Sequence, residues 1–391
     1  MSSEHLPAAA YGAALAALPE VGPARLRRLL AGGDPEAAWA AVRAGELWPG
    51  HSPTPLDAVT GVRGPVAGGA RAIGDELRRS WREAARSVDV DALWERHQRL
   101  GVEVLLATDD AYPDSLKDDH QRPEVLFVKG EPLRTHPAVA IVGTRRCSRY
   151  GVEVAGSLAA SLSRAGVDVI SGLAHGIDAA AHAGLVGDPA DGRAVAVVGT
   201  GLDQPYPARN AALWRAVGKV GTLASEAPLG APGAPWRFPA RNRIIAALSQ
   251  VVVVVESAAS GGSMHTVRQA DVRNRGVMAV PGPITSRASE GTNALIADGV
   301  TPCLGAADVL VALGWNTPLP VHSPSTAAPL EPDLEAAARV LEGGAVTYDE
   351  LAVALDRQVE AVVSIVDRLV RAGVARDDGG LVTAILREGP A

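Results

Sequence analysis

Residues 101–314 predict an α/β fold built on a doubly wound parallel sheet, with a helical module before it and a small helix-and-hairpin module after it. Three observations carry this. From Gly101 onward, short apolar runs alternate with segments of helical period. The runs lack in–out alternation, as strands covered on both faces do. One of them is five consecutive valines, 251–255, closed by Glu256; it is too β-branched for a comfortable helix and too short to cross a bilayer. Glycine-bearing turns also follow several runs directly and open the next helix, where open α/β sheets bind ligands.

In chain order, residues 8 to about 48 read as short amphipathic helices. Within them Leu18-Pro19-Glu20-Val21-Gly22-Pro23-Ala24-Arg25-Leu26 resembles the hairpin of a helix-hairpin-helix (SAM-like) unit, where a glycine turn and a helix N-terminus approach a phosphate. Tight helical hairpins without binding roles look the same, so no binding residue is assigned there. Residues 49–69 are rich in Pro and Gly and read as a loop, and 71–100 as a charged helix. Strands are expected at 102–107, 125–128, 139–142, 167–170, 194–198, 221–224, 251–256 and 277–280. A Pro/Ser/Thr-rich stretch, 315–332, reads as a linker. Three helices at 334–341, 348–355 and 359–372 then precede a hairpin at 374–382 with an Asp-Gly turn, which is the winged-helix plan. The would-be recognition helix offers only Arg368 and Arg371 as basic groups, among acids, so this module reads as a docking or structural element. The expected domains are 1–100, 101–314, the linker 315–332, and 333–391.

Composition narrows the class. Nearly half of the 391 residues are apolar but only 4% are aromatic, so the core must be largely Ala, Val, Leu and Ile. Two cysteines, Cys147 and Cys303, provide no disulfide framework and fit a reducing setting. The N-terminus has no basic segment leading into an apolar core, and no apolar run reaches spanning length. A soluble, cytoplasmic protein with no membrane partner is expected. The net charge of −7 argues against indiscriminate coating of nucleic acid, yet permits a local basic cleft. Lysine occurs only at 117, 129 and 219; arginine favours forked phosphate contacts, although compositional bias explains the same usage.

Four loops follow strands directly. Gly143-Thr144-Arg145-Arg146-Cys147-Ser148 precedes a helix; its glycine permits close approach, its free amides attract an anion, and Arg145 is able to grip one. Ser171-Gly172-Leu173-Ala174-His175-Gly176 is the second, Gly199-Thr200-Gly201-Leu202-Asp203 the third, and 257–263 the fourth. With Arg241, Asn242 and Arg243 at the start of a helix before the valine strand, they predict a phosphate-binding rim. Neither GxGxxG with a later ribose-binding acid nor GxxxxGK[ST] is present, so dinucleotide oxidoreduction and NTP hydrolysis lose support. His175, Asp178 and His182 share a spacing that invites a metal, but zinc favours closer ligand sets, so packing roles are favoured and neither metal nor cofactor is expected. Glu226 and Glu256, each at a strand end, are expected to hold the rim arginines rather than to act as acid or base.

Read in order, the stretches 143–151, 171–178, 199–210, 225–249, 253–256, 279–282 and 291–299 resemble the motifs GTRxxSxYG, SGLAxGID, GxGLDxxYPxxN, SExPxGxxPxxxxFPxRNRIIAxLS, VVVE, AVPG and GTNxLIxxG of the DNA processing protein A (DprA/Smf) family. Tyr112-Pro113, Leu116, Pro123, Leu126-Phe127 and Gly130 match its lead-in strands. The resemblance covers about 110–300 strongly. It implies a Rossmann-like domain that binds single-stranded DNA without catalysis. It also implies protection of incoming strands, their transfer to a RecA-type recombinase in natural transformation, and a homodimer. On the matching motifs, Gly143, Thr144 and Arg145, with Ser148 on the same loop, would hold a backbone phosphate. Arg241, Asn242 and Arg243 would flank it, with Ser171, Gly172 and Gly199 beneath. The chain departs from the family at 261–267, and where the family has Gly-Arg it has Asn274-Arg275. These departures bear on the recombinase contact more than on DNA.

The alternative is a nucleotide-binding sensor or an enzyme cleaving nucleoside monophosphates. Such enzymes use PGGxGTxxE, and here Gly261-Gly262-Ser263 has no following glutamate, with Gln269 the nearest analogue. A third reading makes the sheet a scaffold for docking modules.

Overall fold

The valine run forms a strand whose four residues, Val251–Val254, are all buried, with parallel neighbours on both sides. Valine branches at Cβ and packs well on both faces of a pleat. The structure is a computed structural model and describes residues 5–46, 75–133, 137–187, 190–315, 331–371, 374–377 and 380–384. The loop expected at 49–69 and nearly all of the linker lie outside them.

Two compact units divide near residue 316. The first begins with helices α1 (Ala8–Ala16), α2 (Pro23–Leu29), α3 (Pro35–Ala44), α4 (Asp75–Ser87) and α5 (Val90–Leu100). Asp34 and Asp89 cap α3 and α5, and Gly45 and Gly101 end them in the left-handed conformation that favours glycine. The sheet comprises β1 (Val102–Leu106), β2 (Val125–Gly130), β3 (Ala138–Val142), β4 (Asp168–Ser171), β5 (Ala194–Val198), β6 (Thr222–Ser225), β7 (Val251–Val254), β8 (Gly276–Ala279) and β9 (Thr301–Pro302). Between them run α6 (Asp114–Lys117), α7 (Arg149–Arg164), α8 (Ile177–Val186), α9 (Ala211–Val220), α10 (Arg237–Leu248), α11 (Ser263–Asp271) and α12 (Glu290–Ala297), with α13 (Ala306–Ala312) last.

The strand order is β1-β2-β6-β5-β4-β3-β7-β8-β9. From β6 to β9 every pairing is parallel, and β3 is flanked by β4 and β7, so the winding reverses between β3 and β7. The parallel expectation is corrected at one end: β1 and β2 pair antiparallel with each other, and β2 antiparallel with β6. The β1–β2 connection holds only the four-residue α6, too little helix to cover a parallel crossover. The main core lies between the strands and α10, where Ile244, Ile245, Ala246 and Ala247 meet Val252, Val254, Ala140 and Val197. The N-terminal helices are fastened to the sheet domain by Arg27, whose Nε donates to Glu124 Oε1 at 2.8 Å, and by Arg96, whose Nη2 meets Asp203 Oδ2 at 2.6 Å.

The departure at Asn274 has a local explanation. Its φ is +51°, a region that Gly enters freely and Asn tolerates better than other residues, so the turn after α11 survives the exchange.

The second unit contains α14 (Pro332–Glu342), β10 (Val346–Thr347), α15 (Tyr348–Leu355), α16 (Val359–Arg371), β11 (Ala375–Asp377) and β12 (Leu381–Ala384). Its three strands pair in the order β10-β12-β11 over a core of Leu341, Leu351, Val362, Val366, Leu369 and Val382. Thr347 and Glu350 form a capping box on α15. On α16, Arg368 meets Glu331 at 2.6 Å.

Candidate nucleic-acid interface

The winding reversal between β3 and β7 is where an open α/β sheet leaves a crevice at its carboxyl edge. Here Glu256, which follows β7 and is 1% exposed, fills it. Its Oε2 accepts from the Ser148 amide at 2.8 Å and its Oε1 from Ser148 Oγ at 2.6 Å, while its carbonyl accepts from the Thr144 amide at 2.7 Å. Ser148 Oγ in turn accepts from the Gly151 amide at 3.1 Å and caps α7. Gly143 is required where this loop crosses: a Cβ would lie 2.7 Å from the Glu256 carbonyl oxygen and 2.5 Å from Ile177 Cγ1. The expectation that Glu256 steadies an arginine is therefore corrected. It closes the crevice by holding the 143–148 loop.

A second recess lies beside it, over the carboxyl ends of β4 and β5, with Arg145, Gly172, His175, Gly199, Phe238 and Arg241 among its walls. Arg241 is 7% exposed; its Nη1 donates to the Val197 carbonyl, and its Nε has no partner among the described residues. The guanidinium lies flat against Gly172, where any Cβ would overlap it. Burial pulls the Arg241 pKa down to about 10, opposed by the charge of Asp178, so the group stays cationic at neutral pH. Burial pushes the Asp178 carboxyl up, against the pull of Arg241 and of the Gly172 amide, which donates to its Oδ2 at 3.2 Å.

Above Arg241, Arg145 is exposed, with its guanidinium carbon 5.8 Å from the centroid of Phe238. Phe238 stacks on Tyr206 at 5.0 Å and 25°. His175 Nδ1 accepts from Arg209 Nε at 2.7 Å. Burial, together with Arg209 and Arg145, holds this imidazole below its ordinary pKa. Asn210 Nδ2 donates to the carbonyls of Leu173 and Ala174 at 3.0 and 3.3 Å, pinning a turn in which Leu173 has φ +52°.

Of the residues singled out in the sequence, Arg145, Gly172, Gly199 and Arg241 meet around this recess. Gly143, Thr144 and Ser148 belong to the crevice. Ser171 lies under the edge, its hydroxyl donating to the Ile141 carbonyl at 2.6 Å and tying β4 to β3. Asn242 is half-buried on α10, and Arg243 spends its Nη2 on both oxygens of Glu226 at 2.7 Å. Neither lines the recess. The fourth loop is also absent from its walls: Ser263 Oγ donates to Ser257 Oγ at 2.7 Å, and the Ser257 carbonyl accepts from the Gly291 amide at 2.7 Å. His175 precedes α8 rather than sharing its face with His182. That second imidazole is fully buried, with its pKa lowered by burial to about 4, and its Nε2 lies 3.3 Å from the Val195 carbonyl. Sequence reasoning missed Phe238 and Tyr206. The available signal was an aromatic residue inside the basic cluster, since bases stack on such rings.

The carboxylates nearest this edge have assigned work among the described residues: Asp178, in the first turn of α8, on Gly172, and the strand-end Glu226 and Glu256 on Arg243 and Ser148. No helix of the described residues is long and apolar enough to cross a membrane.

Known proteins share this fold and much of the sequence of the sheet domain. The putative DNA processing protein DprA of Mycobacterium tuberculosis is 40% identical over 220 residues, 55% of this chain and 56% of that protein. The DNA processing protein DprA of Streptococcus pneumoniae is 39% identical over 203 residues, 52% of this chain and 71% of its own length. The chain thus spans little more than half the length of the mycobacterial relative. The X-ray structure of DNA processing protein A from Streptococcus pneumoniae superposes with a TM-score of 0.60 at 28% identity, covering 79% of this chain and 98% of that one. A family model described as DNA recombination-mediator protein A matches residues 103–314, the sheet and everything that shapes its carboxyl edge, and the chain belongs to that family.

Proposed function

We propose that this protein binds single-stranded DNA along the recess over β4 and β5, protects it, and delivers it to a RecA-type recombinase, acting as a homodimer and without catalysing a reaction on the strand. The observation that carries the reading is the convergence of Arg145 and the buried Arg241 beside the exposed edge of the Phe238–Tyr206 stack. A phosphate needs the guanidinium groups, a base needs the ring, and together they hold a strand of any sequence. The engaged state of the three carboxylates favours binding over acid–base chemistry. The same holds for Gln269, the nearest analogue of the glutamate that a nucleotide-cleaving enzyme would carry: its Oε1 accepts from Arg273 Nη1 at 2.7 Å, beside a buried Arg273–Asp119 ion pair. The helical N-terminal module and the winged-helix-like second unit are read as accessory to this rim.

The test is equilibrium binding of single- and double-stranded oligonucleotides across a salt series. Arg145→Ala is expected to weaken single-strand binding and to lower the magnitude of the log–log salt slope by roughly 0.7, one phosphate contact. Unchanged affinity and slope would remove the site. Incubation with nucleoside monophosphates is expected to release no free base.

A further inference from the structure

A second recess opens on the other flank of the first turn of α10. It shares Val198, Gly199 and Arg241 with the first. Its remaining walls include Trp236 and Arg237 on one side and Val21, Gly22 and Pro23 of the N-terminal helical hairpin on the other. Phe238 faces the first recess while Trp236 and Arg237 face the second, so consecutive residues at the start of one helix serve two adjoining cavities.

Three groups on this recess are left exposed or without a hydrogen-bond partner among the described residues. Trp236 is a large apolar side chain left 53% exposed. The Arg237 guanidinium carbon sits 5.1 Å from its ring centroid, and the Arg237 Nη1 is buried without a partner among the described residues. The Arg241 Nε is likewise buried and unpartnered, on a side chain more than nine-tenths buried that lines both cavities. Buried guanidinium nitrogens cost free energy when they lack an acceptor. Glu226 also lines the cavity but is neutralised by Arg243, so the recess is net cationic. An aromatic face beside unsatisfied guanidinium donors is the pairing that single-stranded nucleic acid uses, base on ring and phosphate on cation.

We infer that Trp236, Arg237 and the shared Arg241 form a second nucleotide subsite, which carries the strand from the sheet rim into the seam between α10 and the N-terminal hairpin. This rests on the single-strand reading above and extends it. Arg241 bridges neighbouring phosphates, Phe238 and Trp236 take successive stretches of bases, and the 21–23 turn walls the far side.

The full chain is titrated with fluorescent oligothymidines of increasing length at several salt concentrations, as wild type, Trp236→Ala, Trp236→Phe, Arg237→Ala and Arg145→Ala. Trp236→Ala is expected to weaken long oligonucleotides about tenfold while sparing the shortest ones that bind, and Trp236→Phe to restore most of the loss. Arg237→Ala is expected to reduce the salt slope by roughly 0.7 on long strands only. If both alanine variants match wild type at every length while Arg145→Ala binds more weakly, the second subsite is wrong and the first stands. If Arg145→Ala also matches wild type, the single-strand reading itself fails. Tighter binding of a free mononucleotide than of any oligonucleotide, lost in Trp236→Ala, would replace the strand by a nucleotide ligand and overturn the inference.

Discussion

Two neighbouring places on one sheet edge make opposite use of the same strand–turn–helix design. At the winding reversal between β3 and β7, Glu256 satisfies the free amide and hydroxyl of Ser148 and seals the crevice. One strand further on, over β4 and β5, the buried charge is a cation, Arg241, whose donors are only partly satisfied. Glycines bring chain and side chain close in both places, Gly143 against the Glu256 carbonyl and Gly172 against the Arg241 guanidinium. A topological switch point therefore marks where a ligand has room only if no side chain occupies it. Here a carboxylate does, and the proposed phosphate site lies over its neighbour, where the buried guanidinium of Arg241 stands.

The strongest attack on this contrast is Glu256→Ala. It strips two acceptors from Ser148 and leaves a buried void, so stability should fall by about 3 kcal/mol. Single-strand affinity, measured where the variant is still folded, should fall less than in Arg145→Ala, since the loop that Glu256 anchors carries Arg145 but keeps its guanidinium. Full stability with lost affinity would make the crevice the binding site after all. Gly172→Ala should do the reverse. Its methyl group displaces the Arg241 guanidinium, weakening DNA binding about tenfold at a stability cost of about 1–2 kcal/mol, read by calorimetry and anisotropy together. A variant that binds as wild type would show that Arg241 is not needed at its present position.

The smallest expected effect concerns His175. Its pKa lies below the ordinary histidine value, so it is neutral at pH 7 and gains charge only on acidification. A bound phosphate favours the protonated form, so affinity should rise as pH falls through the depressed range, by less than about tenfold, and His175→Asn should flatten that rise. The same pH dependence in wild type and in His175→Asn would place His175 outside the contact.

Much of this was legible in one dimension. The valine run, the four strand-end turns and the FPxRNR stretch located the sheet and its carboxyl edge, because buried strands and glycine turns leave local signatures. The three helices at 334–341, 348–355 and 359–372 were equally readable from period and caps, and they match α14, α15 and α16 to within a few residues. What was not legible was which arginine points where. Arg241 and Arg243 are two positions apart on α10, roughly 200° around a helix, so one enters the rim while the other is clamped by Glu226. The antiparallel β1–β2 end was missed because its one local mark, a connection whose helix α6 has only four residues, is slight beside the apolar runs that flank it.

Residue type and spacing settle which segments become strands, where backbone amides stand free, and that guanidinium groups gather near them, since each depends on a few adjacent residues. Packing alone assigns Glu256 to Ser148, Glu226 to Arg243, and Phe238 to the face of Tyr206. Those pairings join residues far apart in the chain, and whether a charge is spent or left for a ligand depends on what the fold brings within hydrogen-bonding distance.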